Sequence, residues 1–124
     1  MRINIIDRGA VGDGKTLNTE VIQGMVEICH EAGGGTVVFP KGVFVCGTLY
    51  LKTNVTLELE AGAVLLASPD IRDYGRDTHH NRYRNEEELD RCFLYAQNQE
   101  NIRITGMGEI NGNAGAFPNQ VDRY

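Results

Sequence analysis

Apolar residues recur along the chain in two rhythms. Val21, Ile22, Met25, Val26 and Cys29 follow the spacing that lays one stripe along a helix. Asn18 stands at the position of an N-cap, Glu20 places a carboxylate in the first turn and His30 falls in the last turn, each suited to the helix dipole. Gly33-Gly34-Gly35 supplies the stop. The pattern predicts a helix over about 18–32. Ahead of it, Ile3-Asn4-Ile5-Ile6 reads as a short strand that runs into the glycine-punctuated turn Asp7–Gly14.

After Gly35 the rhythm changes to short apolar runs: Thr36–Phe39, Val43–Cys46, Thr48–Leu51, Val55–Leu59 and Val64–Leu66, each closed by Gly, Pro, Asn or Lys. Runs this short and this frequent suit a chain that bends every few residues around a central core, which is a solenoid. A repeat supports it. Asn54-Val55-Thr56-Leu57 matches Asn101-Ile102-Arg103-Ile104 at a step of 47, and Gly62-Ala63-Val64-Leu65 roughly matches Gly108-Glu109-Ile110-Asn111 at a step of 46. Setting aside the polar stretch Ser68–Arg91 as an insertion leaves about 22 to 23 residues per coil. Equivalent residues of successive coils should then stack, with Asn54 beside Asn101 and Leu57 over Ile104, within about two strand spacings of ~4.8 Å.

A first coil exposes an edge and an open core, and the helical stripe is placed to cover both. From Asn111 to Tyr124 only Phe117, Val121 and Tyr124 are substantial apolar side chains, so the last coil is expected to lack a lid. The expected fold is all-β: a β-solenoid with one N-terminal capping α-helix, cut short at its C-terminal end and able to self-associate there.

Composition narrows the partners. The 124 residues carry 12 Lys+Arg against 17 Asp+Glu, a formal net charge of −5, which offers no field for nucleic acid or an anionic membrane. No apolar run approaches the roughly 18 to 20 residues of a membrane span, and Met1–Asp7 lacks a secretory h-region. The localisation is open, cytoplasmic if Met1 is the natural start. Cys29, Cys46 and Cys92 form no C-x-x-C pair and no zinc spacing, so no metal or other cofactor is expected.

Three sets of residues could carry chemistry. Gly9–Thr16 fits G-x-x-x-x-G-K-[ST] between a strand and a helix, the setting of a nucleotide-binding P-loop. Against it, Asp13 sits inside the cradle, and the helix begins several residues after Lys15. Glu58 and Glu60, two apart on a strand, point to one side about 6.7 Å from each other, within the roughly 6.5 to 9.5 Å of an inverting carboxylate pair. The plainer account is a half-buried strand with its leucines inward and its acids in water. The insertion holds His79, His80, Arg82, Tyr83 and Arg84 among Asp70, Asp73, Asp77 and Glu86–Glu88: either a self-neutralising surface loop or a place where guanidinium forks meet an anionic ligand.

Five stretches in order resemble a known family: Asp7–Thr19, the helix ending in Gly33–Pro40, Gly47–Leu57, Glu60–Ala63 and Asn101–Gly112. Together they are similar to the N-terminal portion of family 28 glycoside hydrolases, the polygalacturonases and their pectin-lyase-like relatives. The resemblance implies a right-handed parallel β-helix from an enzyme that hydrolyses α-galacturonosyl linkages of pectin with inversion and without a cofactor. It also implies that the catalytic residues, carried in Asn-x-Asp, Asp-Asp, Gly-His-Gly and Arg-x-Lys motifs, lie past Tyr124, since none of the four occurs here. No catalytic residue is assigned, and the 124-residue chain alone is expected to be inactive. His80, Arg82 and Arg84 are the candidate substrate-binding residues, with a pectin-type acidic saccharide as partner. A non-catalytic carbohydrate-binding or assembly module and a P-loop nucleotide binder are the alternatives.

Overall fold

A computed structural model describes residues 1–73 and 94–112. Its ten strands are β1 (Arg2–Asn4), β2 (Asp13–Leu17), β3 (Gly35–Phe39), β4 (Gly42–Cys46), β5 (Leu49–Tyr50), β6 (Val55–Leu59), β7 (Ala63–Ala67), β8 (Leu94–Tyr95), β9 (Arg103–Gly106) and β10 (Glu109–Asn111). Its α-helix, α1 (Thr19–Glu31), lies between β2 and β3. Every strand pairing is parallel. The strands form three sheets in the orders β1-β3-β6-β9, β10-β7-β4-β2 and β5-β8. Each of the four coils contributes one strand to each of the first two sheets, and the two middle coils add β5 and β8 as a third, so the described chain is a parallel β-helix.

Short strands with alternating burial line the core. In β6, Val55, Leu57 and Leu59 point inward, and in β7 so do Ala63, Leu65 and Ala67. The register stacks Ile3, Val37, Leu57 and Ile104 as one inner row. Phe39 and Phe44 meet edge to face across a corner, ring centroids 6.3 Å apart.

The stacking expected of the repeat is present. Leu57 pairs with Ile104, and Asn101 Nδ2 donates to Asn54 Oδ1 at 2.8 Å. Both asparagines are left-handed, with φ of 56° and 67°, a conformation that Asn tolerates better than most residues. The second repeat match is out by one. Glu109 pairs with Val64 and Ile110 with Leu65, a step of 45 rather than 46. The reason is the pleat: a one-residue slip would set Ile110 over the outward Val64 instead of the buried Leu65. The uninterrupted coil is also tighter than expected, Gly35 to Val55 being 20 residues and Gly42 to Ala63 being 21.

At the N-terminus the expected strand Ile3–Ile6 is cut short. The Asn4 side chain accepts from the Ile6 N–H at 3.0 Å and turns Ile5–Arg8 into a 3₁₀ turn. Helix α1 occupies the place of the third strand in the first coil, with Ile22, Met25, Val26 and Cys29 fully in the core. Its Gln23 carboxamide accepts from the Tyr50 N–H at 2.8 Å and donates to the Tyr50 carbonyl at 3.0 Å. The side chain thus pairs with edge strand β5 as a neighbouring peptide group would. Asn18 does not cap the helix through its side chain. Instead its carboxamide accepts from the Val11 N–H at 2.8 Å and donates to the carbonyls of Val11 and Thr16, each at 3.0 Å.

Candidate functional site

The stretch Gly9–Thr16 shows how a motif can match in letters and fail in geometry. Asp13 Oδ1 accepts from the backbone N–H groups of Lys15 and Thr16, at 2.9 and 2.7 Å, and Oδ2 accepts from Thr16 Oγ1 at 2.8 Å. The donors a phosphate would need at this turn are taken by the chain's own carboxylate. Those bonds stabilise the charged form and lower the Asp13 pKa to about 2. Residues Asp13–Leu17 are a strand paired with β4, not a loop opening a helix. The nucleotide-binding alternative has no support in this arrangement.

Glu58 is equally committed. Both its oxygens are held by the Arg2 guanidinium, at 2.9 and 2.7 Å, a bidentate fork that holds its carboxyl below the ordinary value. An acid so held stays ionised at neutral pH and is no proton donor to a leaving group. Glu60 is exposed at the end of the strand, while Leu57 and Leu59 face the core. The two acids are therefore the outer side of a half-buried strand rather than a catalytic pair.

His80, Arg82 and Arg84, together with His79, Tyr83 and Cys92, lie outside the described residues. What is described is the exit and return of the segment that carries them. At the exit, Ser68 is buried and its hydroxyl donates to Asp73 Oδ2. The Asp70 N–H donates to Ser68 Oγ at 3.1 Å, and Asp70 accepts from both the backbone and the side chain of Arg72. That pairing lowers the Asp70 pKa to about 2. The Asp73 backbone lies directly against the Gly47 α-carbon, where a Cβ would collide with it. Gly47 in turn donates to Thr19 Oγ1 of α1 at 2.7 Å. At the return, β8 pairs with β5 through Leu49–Leu94 and Tyr50–Tyr95, two residues along the coil from Gly47.

Two features here are absent from the sequence-based expectation. One is the Ser68–Asp73 stem, whose signal is the turn-forming Ser-Pro-Asp at 68–70. The other is the partly exposed Tyr50–Tyr95 pair on the outside of the coil, centroids 5.9 Å apart. Its signal is the Leu-Tyr dipeptide at 49–50 and again at 94–95. Cys29 and Cys46 are free and buried, and burial pushes both thiols up. Among the described residues no cluster of three His, Cys, Asp or Glu side chains could hold a metal ion, and no helix is long and apolar enough to cross a membrane.

Comparison with known proteins gives this fold its relatives. No family model matches the chain. The exo-poly-alpha-D-galacturonosidase of Dickeya chrysanthemi is 38% identical over 118 residues, covering 90% of this chain and 19% of the relative. The family 28 exopolygalacturonase of Yersinia enterocolitica superposes with a TM-score of 0.76 at 36% identity, covering 91% of this chain and 21% of that one. A shorter stretch, 44% of this chain, is 43% identical over 63 residues to alginate lyase 7 of Azotobacter vinelandii, covering 7% of it. The chain thus spans about a fifth of the length of its galacturonan-directed relatives. Over nine-tenths of its length the chain is similar, in sequence and in coil geometry together, to galacturonan-cleaving enzymes, a family 28 exopolygalacturonase among them.

Proposed function

We propose that the chain is the helix-capped first part of a single β-helix domain in a hydrolase of α-linked galacturonan, acting with inversion through carboxylates that this chain does not contain. The observation that carries the proposal is the likeness to galacturonan-directed enzymes over 90% of the chain. The site geometry agrees with it. Asp13, Glu58 and Asp70 are each tied up in hydrogen bonds that keep them ionised, which suits structural acids and not a proton donor.

In this proposal the segment between Asp73 and Leu94 presents His80, Arg82 and Arg84 to an anionic sugar. The support is that the segment leaves and returns on one coil, its exit packed on Gly47 and its return paired with Leu49–Tyr50. Pectin-type saccharide is the partner. The purified 124-residue chain incubated with polygalacturonate should release no reducing ends above a blank, and release would overturn the division of labour. Oligogalacturonate binding to the same chain should weaken about 10-fold or more in Arg82→Ala/Arg84→Ala, since a hydrogen bond to a charged group contributes about 1.5 to 3 kcal/mol. Unchanged affinity would remove these arginines from the site.

A further inference from the structure

Four aromatic side chains lie among the described residues. Phe39 and Phe44 are fully buried, while Tyr50 and Tyr95 are partly exposed. The pleat explains the difference. Leu49 is buried, and Leu51 and Leu94 pack against the core, so Tyr50 and Tyr95 stand together on the outer face of their sheet, paired in register. Their centroids are 5.9 Å apart and their planes 78° apart, an edge-to-face contact that leaves ring surface uncovered by the partner ring. Alternation along the strand brings Lys52 to the face of Tyr50. Its ammonium has Glu27 Oε2 at 4.0 Å, and that oxygen already accepts from Gln23 at 2.9 Å. Gln97 stands beside Tyr95, its carboxamide oxygen accepting from the Tyr95 hydroxyl, which leaves the amide N–H groups as donors. Because β8 ends its sheet, a further coil would stack on it along the coil axis rather than over this outer face.

Resting on the galacturonan reading above, we propose that Tyr50 and Tyr95 form a stacking platform for one pyranose ring of an acidic oligosaccharide, with Lys52 meeting the uronate carboxylate and Gln97 donating to a sugar hydroxyl. The chemistry of the four side chains selects this occupant. The electron-rich face of a tyrosine attracts the polarised C–H groups that line one side of a pyranose. Lys52 is a point charge on a flexible stem, and a contact of 4.0 Å with a part-exposed Glu27 holds it only weakly. A uronate carboxylate beside the rings therefore draws the ammonium to itself, which a neutral sugar does not. Single-stranded nucleic acid also stacks on aromatic rings, but it needs a positive track for its phosphates. A chain with a formal net charge of −5 does not supply one.

Titrating trigalacturonate into the 124-residue chain should shift the aromatic ring resonances of Tyr50 and Tyr95 in NMR spectra, a readout that needs no variant. Affinity should fall about 10-fold in Tyr95→Ala and hold within about 2-fold in Tyr95→Phe, which keeps the ring. Lys52→Gln should weaken trigalacturonate binding about 10-fold and leave binding of its fully methyl-esterified form unchanged, because only the free acid offers Lys52 a carboxylate. Trigalacturonate that binds without moving either ring, and as tightly to Tyr95→Ala as to the parent chain, would overturn the platform and leave the galacturonan reading standing. Ring shifts from neutral galactotriose as large as those from trigalacturonate would overturn the acidic occupant, and with it the galacturonan reading at this face. A chain that binds neither saccharide would overturn the platform.

Discussion

The Asn18 carboxamide sits 2% exposed between the turn that precedes β2 and the start of α1. Its oxygen serves the Val11 N–H and its nitrogen serves three carbonyls, those of Val11, Thr16 and Val45. The helix gains only its backbone carbonyl, which accepts from the Ile22 N–H at 3.0 Å. An N-cap role and a cross-linking role predict different things. Asn18→Ala should destabilise the chain by about 2 to 4 kcal/mol, since it strands buried polar groups at about 1 to 3 kcal/mol each. Asn18→Ser, a good cap, should recover little of that loss, because a hydroxyl is too short to reach Val11. Urea denaturation of both variants decides it, and full recovery by Ser would restore the capping account. Asp13 offers a pH readout on the same turn. Its folded pKa of about 2 lies below the ordinary carboxylate value of 3.8, so the turn's contribution is complete above roughly pH 5 and fades as pH falls towards 2. An NMR titration should place the Asp13 carboxyl midpoint near 2, and Asp13→Asn should remove that pH-dependent component. A midpoint near 3.8 would mean that the turn does not hold.

At the scale of elements, the coil corner occupied by Asn54 and Asn101 joins two requirements that a sequence displays only in part. The repeated Asn-x-x-Leu/Ile spacing is visible by eye and fixes the stack of β6 on β9. The left-handed backbone that selects Asn there is not. Asn54→Ala loses both the Asn101 bond and the tolerated conformation, and should cost about 1.5 to 3 kcal/mol. Asn54→Gly keeps the backbone and should cost less than Ala, a difference that thermal unfolding of the two variants measures. Equal losses would leave only the side-chain bond to matter. The apolar stripe of α1 was legible for the same reason as the ladder: its period is written in the residues that face the core. The Gln23 pairing with β5 was not, because a glutamine in a helix carries no mark of the distant strand it meets. The Gly62–Gly108 alignment misled by one residue because glycines mark turns, whose lengths vary, whereas Leu65 and Ile110 mark the face that must stay buried.

Across the whole molecule, the order and spacing of short strands made the β-helix and its relatives legible without any catalytic residue. What sequence could not separate was a P-loop from a strand carrying an Asx turn. The difference lies in where one carboxylate, Asp13, aims. The Arg2–Glu58 fork works at this scale, since it joins the first coil to the third across the second. Beneath its span Val38 points away from the core yet is only 3% exposed. That row of the sheet is consequently sheltered from solvent on both of its faces, although the outer shelter is a polar clasp and not a second layer of structure. In hydrogen–deuterium exchange the middle strand should outlast the strands on either side of it, and raised salt, by loosening the clasp, should shorten its protection first.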